Sequence, residues 1–477
     1  MSADTRPLFL AGTLRQTSTS VEVRSPYDGA TIARVSAAGP AEYEEAARAC
    51  TAAAPVVAAL PLHERARILR AVSGALRDQR EAFAIRLVQE AGKPLRDART
   101  EVDRAAMTFE VAAEEARRLP GAGEVIPMDL ASHGEGRIGL TRRVPIGPIA
   151  AIAPFNFPLN LVAHKLAPAL AAGNPVVLKP ASRTPLSALA LADLMHEAGL
   201  PPGALSVLPM TRETGDLLVQ DDRYRLLTFT GSAEVGWALK ARAGRKKVVL
   251  ELGGNAAVIV DDGADLEVAA ARAATGGFSY AGQSCISVQR VYVHANVWNA
   301  WLAAFLPQVE ALVVGDPMDE RTAVGPLITP GDVDRIESWV REAVEGGATV
   351  LCGGTRRADQ LFPPTVLTGV DRQARVCAEE AFAPVVVVER VGSIDEALEA
   401  VNASAFGLQA GLFTPRLETA LTAFDRLEVG GLLINDVPTY RIDHMPYGGV
   451  KDSGLGREGP RYAIEDMTEL RLLVIRR

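Results

Sequence analysis

Apolar positions along this chain follow two rhythms, and the switch between them marks its layout. From Pro40 to Ala91, Ala-rich faces alternate with Asp and Glu at helical spacing; Pro61 can open a second helix and Gly92-Lys93-Pro94 closes it. A third helix is predicted over Asp97 to Arg118, ending before Pro120-Gly121. Two strands should follow, at 137–141 and 144–152, separated by Arg142-Arg143 and made irregular by Pro145, Gly147 and Pro148. Further on, apolar strands at 175–178, 205–208, 226–229 and 248–250 alternate with helices at 186–198, 214–220 and 233–243. Unalternating strands separated by helices imply an α/β fold with a mostly parallel sheet covered on both faces. Such sheets bind ligands at the carboxyl ends of their strands. A second alternating unit runs from Asp265 to about Asp436. The tail from Glu469 to Ile475 is an apolar strand that needs a partner, either the 137–141 strand or another subunit.

Composition narrows the classes. With 477 residues, two or three domains are expected, and 48% hydrophobic against 23% charged residues is an ordinary globular balance. The net charge of −8 and the lack of a basic stripe argue against a nucleic-acid partner; the short cluster Arg242 to Lys247 reads as a solvated element end. Four scattered cysteines (Cys50, Cys285, Cys352 and Cys377) make no disulfide framework and no Cys-x-x-Cys zinc site, so no metal and a reducing, cytoplasmic setting are expected. Early charge at the N-terminus predicts no signal peptide. The richest apolar stretch, 162–178, is broken by His164, Lys165, Pro168, Asn174 and Pro175, so no membrane span is predicted.

Three local patterns carry chemistry. Cys285 follows a glycine turn, Gly282-Gln283-Ser284, which can present a thiol, whose thiolate is the strong nucleophile among natural side chains at neutral pH. A lone cysteine is more often a small buried hydrophobe, as the other three are read. Glu251 ends an apolar strand and precedes Gly253-Gly254, where backbone and ligand can approach closely; an exposed turn Glu is the plain alternative. In Pro154-Phe155-Asn156-Phe157-Pro158, two prolines and two rings stiffen an Asn amide that can serve as an oxyanion donor, or simply form a turn.

Together with Lys179-Pro180-Ala181-Ser182, Phe229-Thr230-Gly231-Ser232, Glu379 to Pro384 and Met445 to Lys451, these pieces resemble the aldehyde dehydrogenase superfamily through nearly the whole chain, in order and spacing. The resemblance implies an aldehyde dehydrogenase fold. Its parts would be a Rossmann-like cofactor domain (1–121 and 142–248), an α/β catalytic domain (249–446) and a small β oligomerisation arm (122–141 and 460–477), in a homodimer or homotetramer. It also implies NAD or NADP as cofactor and a thioester route. Cys285 would attack the carbonyl, the Asn156 amide and the Cys285 N–H would hold the oxyanion, and Glu251 would activate water. Lys165 and Glu458 match positions linked to proton movement around that Glu. Lys179 and Glu380 match residues contacting ribose hydroxyls, and Phe382 one near the nicotinamide ribose. Gly231 and Ser232, with the helix N-terminus after them, would take the pyrophosphate; Pro154, Phe155 and Leu252 complete the cofactor set. The fingerprint Gly-x-Gly-x-x-Gly is absent. Ser182 stands where NAD-preferring members usually carry Glu, and Arg183 follows, which suits use of NADP as well as NAD; Ser182 neutral towards both cofactors and Arg183 facing solvent is the alternative. Ala383 replaces the usual Gly.

For the substrate, Arg104, His164, Arg290 and Arg441 are expected to converge at the tunnel and favour a small aldehyde with an anionic tail, such as phosphonoacetaldehyde, a semialdehyde or a lactaldehyde-like compound. Each also has a plainer reading as a local ion pair. Three rivals stand beside this. A CoA-acylating relative generally lacks the water-activating glutamate, a silent structural relative would not keep Cys285, Asn156 and Glu251, and a cysteine hydrolase needs His164 to reach the thiol.

Overall fold

The computed structural model describes residues 5–118 and 123–477; the turn at Pro120-Gly121 and the boundary between 121 and 122 lie outside them. The first helical region is three helices, Pro40–Ala59, Leu62–Asp78 and Arg80–Ala91, because the chain leaves helical geometry at Gln79 as well as at Pro61. Helix Leu95–Arg118 buries Ala98, Val102, Ala105, Phe109, Ala112 and Ala116, a stripe spaced four and three residues apart. It packs on Leu62–Asp78 and on helix Asn160–Ala172. That last helix is buried along its whole length. Lys165 and His164 lie within it, so the apolar run they seemed to interrupt is a core helix carrying polar groups to the interior.

The first sheet has eight strands, ordered Thr13–Arg15, Leu8–Leu10, Leu205–Val207, Val176–Lys179, Ile149–Ile152, Leu226–Thr230, Lys247–Glu251 and Gly454–Leu455. Its five central strands are parallel, and both edges are antiparallel. In chain order those five run third, second, first, fourth, fifth. The order therefore reverses between Ile149–Ile152 and Leu226–Thr230, the crevice where a doubly wound sheet takes a dinucleotide. A second, seven-stranded sheet is ordered Thr349–Cys352, Thr365–Thr368, Val385–Val391, Val288–His294, Ala256–Val260, Gln409–Phe413 and Gly431–Ile434, parallel except at the first pair.

A third sheet stands apart. Strand Arg137–Pro145 pairs on one side with Val125–Pro127 and on the other with Thr468–Arg476, in register from Thr468 opposite Pro145 to Arg476 opposite Arg137. The two strands expected at 137–141 and 144–152 are thus corrected: Arg142-Arg143 lies inside one strand, and the break comes at Gly147, with φ of 108°, and Pro148. The tail finds its partner within the chain and forms the sheet's outer edge, with Leu470, Leu472 and Leu473 exposed. Among the described residues, no helix is long and apolar enough to cross a membrane.

Candidate active site

One cleft of about 690 Å³ lies where the carboxyl ends of the first sheet meet the amino ends of the second, within the usual range for a ligand site. Strand Lys247–Glu251 delivers Glu251 to it, and the turn after helix Leu266–Phe278 delivers Cys285. That turn is unusual: Tyr280, Ala281 and Gly282 all have left-handed φ of 49°, 52° and 69°. Gly282 is required there twice over, because a Cβ would stand 2.2 Å from the Ala383 carbonyl oxygen. A Cβ on Gly254 would meet the Cys285 carbonyl oxygen at 2.1 Å, so Gly254 lets the segment after the Glu251 strand touch the Cys285 turn backbone to backbone, while Gly282 seats that turn against Ala383.

The Cys285 Sγ is 3.0 Å from the Tyr447 hydroxyl, and burial pushes the thiol up to about 12, against the opposing pull of that hydroxyl and of Arg441. Asn156 is buried and gives one amide N–H to the Gln283 carbonyl at 3.0 Å, leaving the second N–H of Nδ2 unspent. The Cys285 N–H has no backbone partner among the described residues. Both carboxylate oxygens of Glu251 are buried without a hydrogen bond; burial, with Glu458 adding to it, raises its carboxyl well above the usual carboxylate range.

Behind these groups lies a buried charge network. Burial pushes the Lys165 ammonium down, and it donates to Thr228 at 3.0 Å and Thr230 at 2.7 Å, 3.8 Å from Glu458. Burial also works against a charged Glu458, but His164, Arg441 and Lys165 outweigh it and hold this carboxyl low. Arg441 donates to Glu458 at 2.9 Å, with its guanidinium 3.7 Å from the Tyr447 ring centre. Asp443 takes a two-pronged bond from Arg104, at 2.9 and 3.2 Å, and also meets Asn160 and His164. Burial opposes its charge, yet the His164 and Arg104 bonds hold it well below the usual range. For His164, burial and the Arg441 charge push the imidazole pKa down, against the opposing pull of Asp443 and Glu458.

The structure sorts the expected residues. Cys285, Glu251, Asn156 and Glu458 line the cleft, as do Arg104 and Arg441. So do Pro154, Phe155, Gly231, Ser232, Leu252, Glu380 and Phe382. Phe155 meets Phe382 edge to face, and burial pushes the Glu380 carboxyl up to about 7. Lys165 lies one layer back. Lys179 is paired in register with Ile152, which lines the cleft, and Ser182 and Arg183 are exposed just beyond Ala181, its last lining residue there.

Two expected substrate residues are corrected. Arg290 is buried and spends its guanidinium on the carbonyls of Asn255 and Ala400 and on the Tyr292 hydroxyl, outside the cleft. His164 is fully buried against Asp443 behind Arg441, away from the thiol, which leaves the cysteine-hydrolase reading without its base. Asp443 and the Tyr447 hydroxyl were missed. Asp443 stands two residues after Arg441, and Tyr447 lies inside a quoted motif, but neither pattern shows what the side chain meets.

Comparison with known proteins agrees with this geometry. Residues 13–473 match the model of the aldehyde dehydrogenase family. The chain belongs to that family. This dehydrogenase is 46% identical over 469 residues to the 3-sulfolactaldehyde dehydrogenase of Priestia aryabhattai, covering 98% of this chain and 97% of that one. Its fold matches aldehyde dehydrogenase 21 from Physcomitrella patens in complex with the reaction product succinate, at a TM-score of 0.97 and 44% identity over 100% of this chain and 99% of that one. It also matches a glyceraldehyde-3-phosphate dehydrogenase from Methanocaldococcus jannaschii complexed with NADP, at 0.92 and 37% over 97% and 100%. The dehydrogenase is thus an oxidoreductase that couples aldehyde oxidation to NAD or NADP.

Proposed function

We propose that this enzyme oxidises a small aldehyde with an anionic tail, with Cys285 as nucleophile. The observation that carries this is the placement of Arg104 and Arg441 in the same cleft as Cys285, each with donors to spare. Arg104 gives Nε and Nη2 to Asp443 and Arg441 gives Nη2 to Glu458, while the Arg441 Nε is buried without a partner. A sulfonate, carboxylate or phosphate matches such donors. The names of the three relatives fit this reading, since each carries an anionic group on substrate or product.

In the reaction, the Cys285 sulfur bonds to the carbonyl carbon, and the oxygen takes the electron pair. The free N–H of Asn156 and the Cys285 N–H stabilise that oxyanion. A bound nicotinamide dinucleotide supplies the hydride acceptor that turns the adduct into a thioester. Glu251 then takes a proton from water, the oxygen adds to the thioester carbonyl, and the carbon–sulfur bond breaks to release the acid. The cofactor fits the residues present. Ser232 starts helix Ala233–Arg242 without a side-chain cap, leaving its first N–H groups for a pyrophosphate, at the strand-order reversal. Glu380 and Phe382 would hold the nicotinamide ribose, and Lys179, Ser182 and Arg183 would face the adenosine ribose, where no carboxylate at position 182 would repel a 2′-phosphate. We further infer a cytoplasmic homodimer or homotetramer, supported by four free cysteines and by the apolar edge Thr468–Arg476.

The test is a panel of 3-sulfolactaldehyde, succinic semialdehyde, glyceraldehyde 3-phosphate and propanal with both cofactors. Replacing Arg104 with Ala should raise KM for the anionic aldehyde about 10- to 100-fold, the worth of a charge-assisted bond. Propanal should change little. A wild-type preference for propanal, or equal effects of the substitution on both classes, overturns the reading.

A further inference from the structure

We propose that the Tyr447 hydroxyl is a catalytic hydrogen-bond donor to the nucleophile, stabilising the Cys285 thiolate as it forms for attack. This rests on the reading of Cys285 as the nucleophile. The contact is direct, 3.0 Å from oxygen to sulfur. Once the thiol has lost its proton, only the phenol has a hydrogen to give, so the direction of the bond is set by chemistry. Tyr447 is buried against Ile286 and Leu408, a surrounding that a phenylalanine ring would fill equally well. Among the described residues the hydroxyl meets nothing but the sulfur, so the thiol alone accounts for an oxygen buried there.

Its position is built rather than incidental. The Tyr447 and Glu458 backbones exchange two hydrogen bonds, at 3.1 and 2.6 Å, which pin the residue beside the water-activating layer. The Arg441 guanidinium lies 3.7 Å from the centre of the ring, and its charge strengthens the phenol as a donor. The arrangement answers a problem of the site. Burial holds the thiol protonated, and two carboxyls, Glu380 and Glu251, push the same way. A hydrogen bond donated to a charged acceptor displaces a titration by about one to two pH units. Each unit gives about tenfold more thiolate, while intrinsic nucleophilicity falls only about threefold, with a slope of about 0.4–0.5. The net gain is therefore about threefold per unit.

The experiment compares iodoacetamide alkylation of wild type, Tyr447→Phe and Cys285→Ala at mildly alkaline pH, with melting temperature and KM for NADP+ measured alongside. In Tyr447→Phe the alkylation rate should fall about three- to tenfold while the melting temperature and cofactor KM hold. An unchanged or faster rate overturns the assignment. Cys285→Ala separates the two readings. If it abolishes both alkylation and turnover while Tyr447→Phe alkylates normally, only the role of Tyr447 fails. If turnover survives without Cys285, the nucleophile reading fails and this inference with it.

Discussion

Gly254→Ala tests whether the meeting of the two catalytic segments governs the rate. A Cβ there would lie 2.1 Å from the Cys285 carbonyl oxygen and 3.4 Å from the Leu408 Cβ. Real Cβ contacts essentially never fall below 3.0 Å, so one backbone must yield by about 1 Å. Strand Ala256–Val260 is buried along its length in the second sheet, whereas the nucleophile turn already holds two non-glycine residues in left-handed geometry. The turn should give way, carrying Cys285 from its alignment with Asn156. A misplacement of about 1 Å costs about 100-fold in rate. Steady-state NADPH formation should show kcat down by about that factor, with KM for NADP+ nearly unchanged because the adenosine end lies on the first sheet. A kcat within about threefold of wild type in a folded variant would refute the reasoning.

Arg290→Leu should cost about 1–3 kcal/mol of stability, because the carbonyls of Asn255 and Ala400 lose a charged donor, and should leave KM for an anionic aldehyde alone; thermal melting and kinetics check both halves. The Glu251 carboxyl titrates well above its ordinary range, so thioester hydrolysis should speed up as pH rises through that raised value, and Glu251→Gln should flatten the profile. The folded chain then holds a proton that the unfolded chain releases. Stability therefore falls as pH climbs from the ordinary carboxylate range towards the raised value, a slope that the Gln variant removes in denaturant titrations at several pH values. Ser182→Glu should raise KM for NADP+ about tenfold or more while sparing NAD+, measured with each cofactor in turn.

Four of the five parallel strands of the first sheet, all but Ile149–Ile152, were legible as short apolar runs set between helices. Helix Asn160–Ala172 was not, since a helix buried all round shows no polar face, and its His164 and Lys165 read as interruptions. Cys285, Glu251 and Asn156, which meet in one cleft, were legible through their motifs. The partners of the charged side chains were not, because they are set by tertiary contacts: Asp443 meets a histidine 279 residues away. Arg290 was misplaced for a related reason. Its strand is covered on both faces, so its position does not reveal that the guanidinium serves the carbonyls of Asn255 and Ala400.

The strand that carries Glu251 receives its outer neighbour, Gly454–Leu455, only about 200 residues later in the chain. The same late stretch brings Tyr447 and Glu458 to the cleft. During synthesis, the nucleophile turn is therefore made long before the groups that tune it. A nascent or truncated chain holds a thiol without its donor and a carboxylate on an open edge. A complete cleft therefore requires the final segment to be docked against the Glu251 strand.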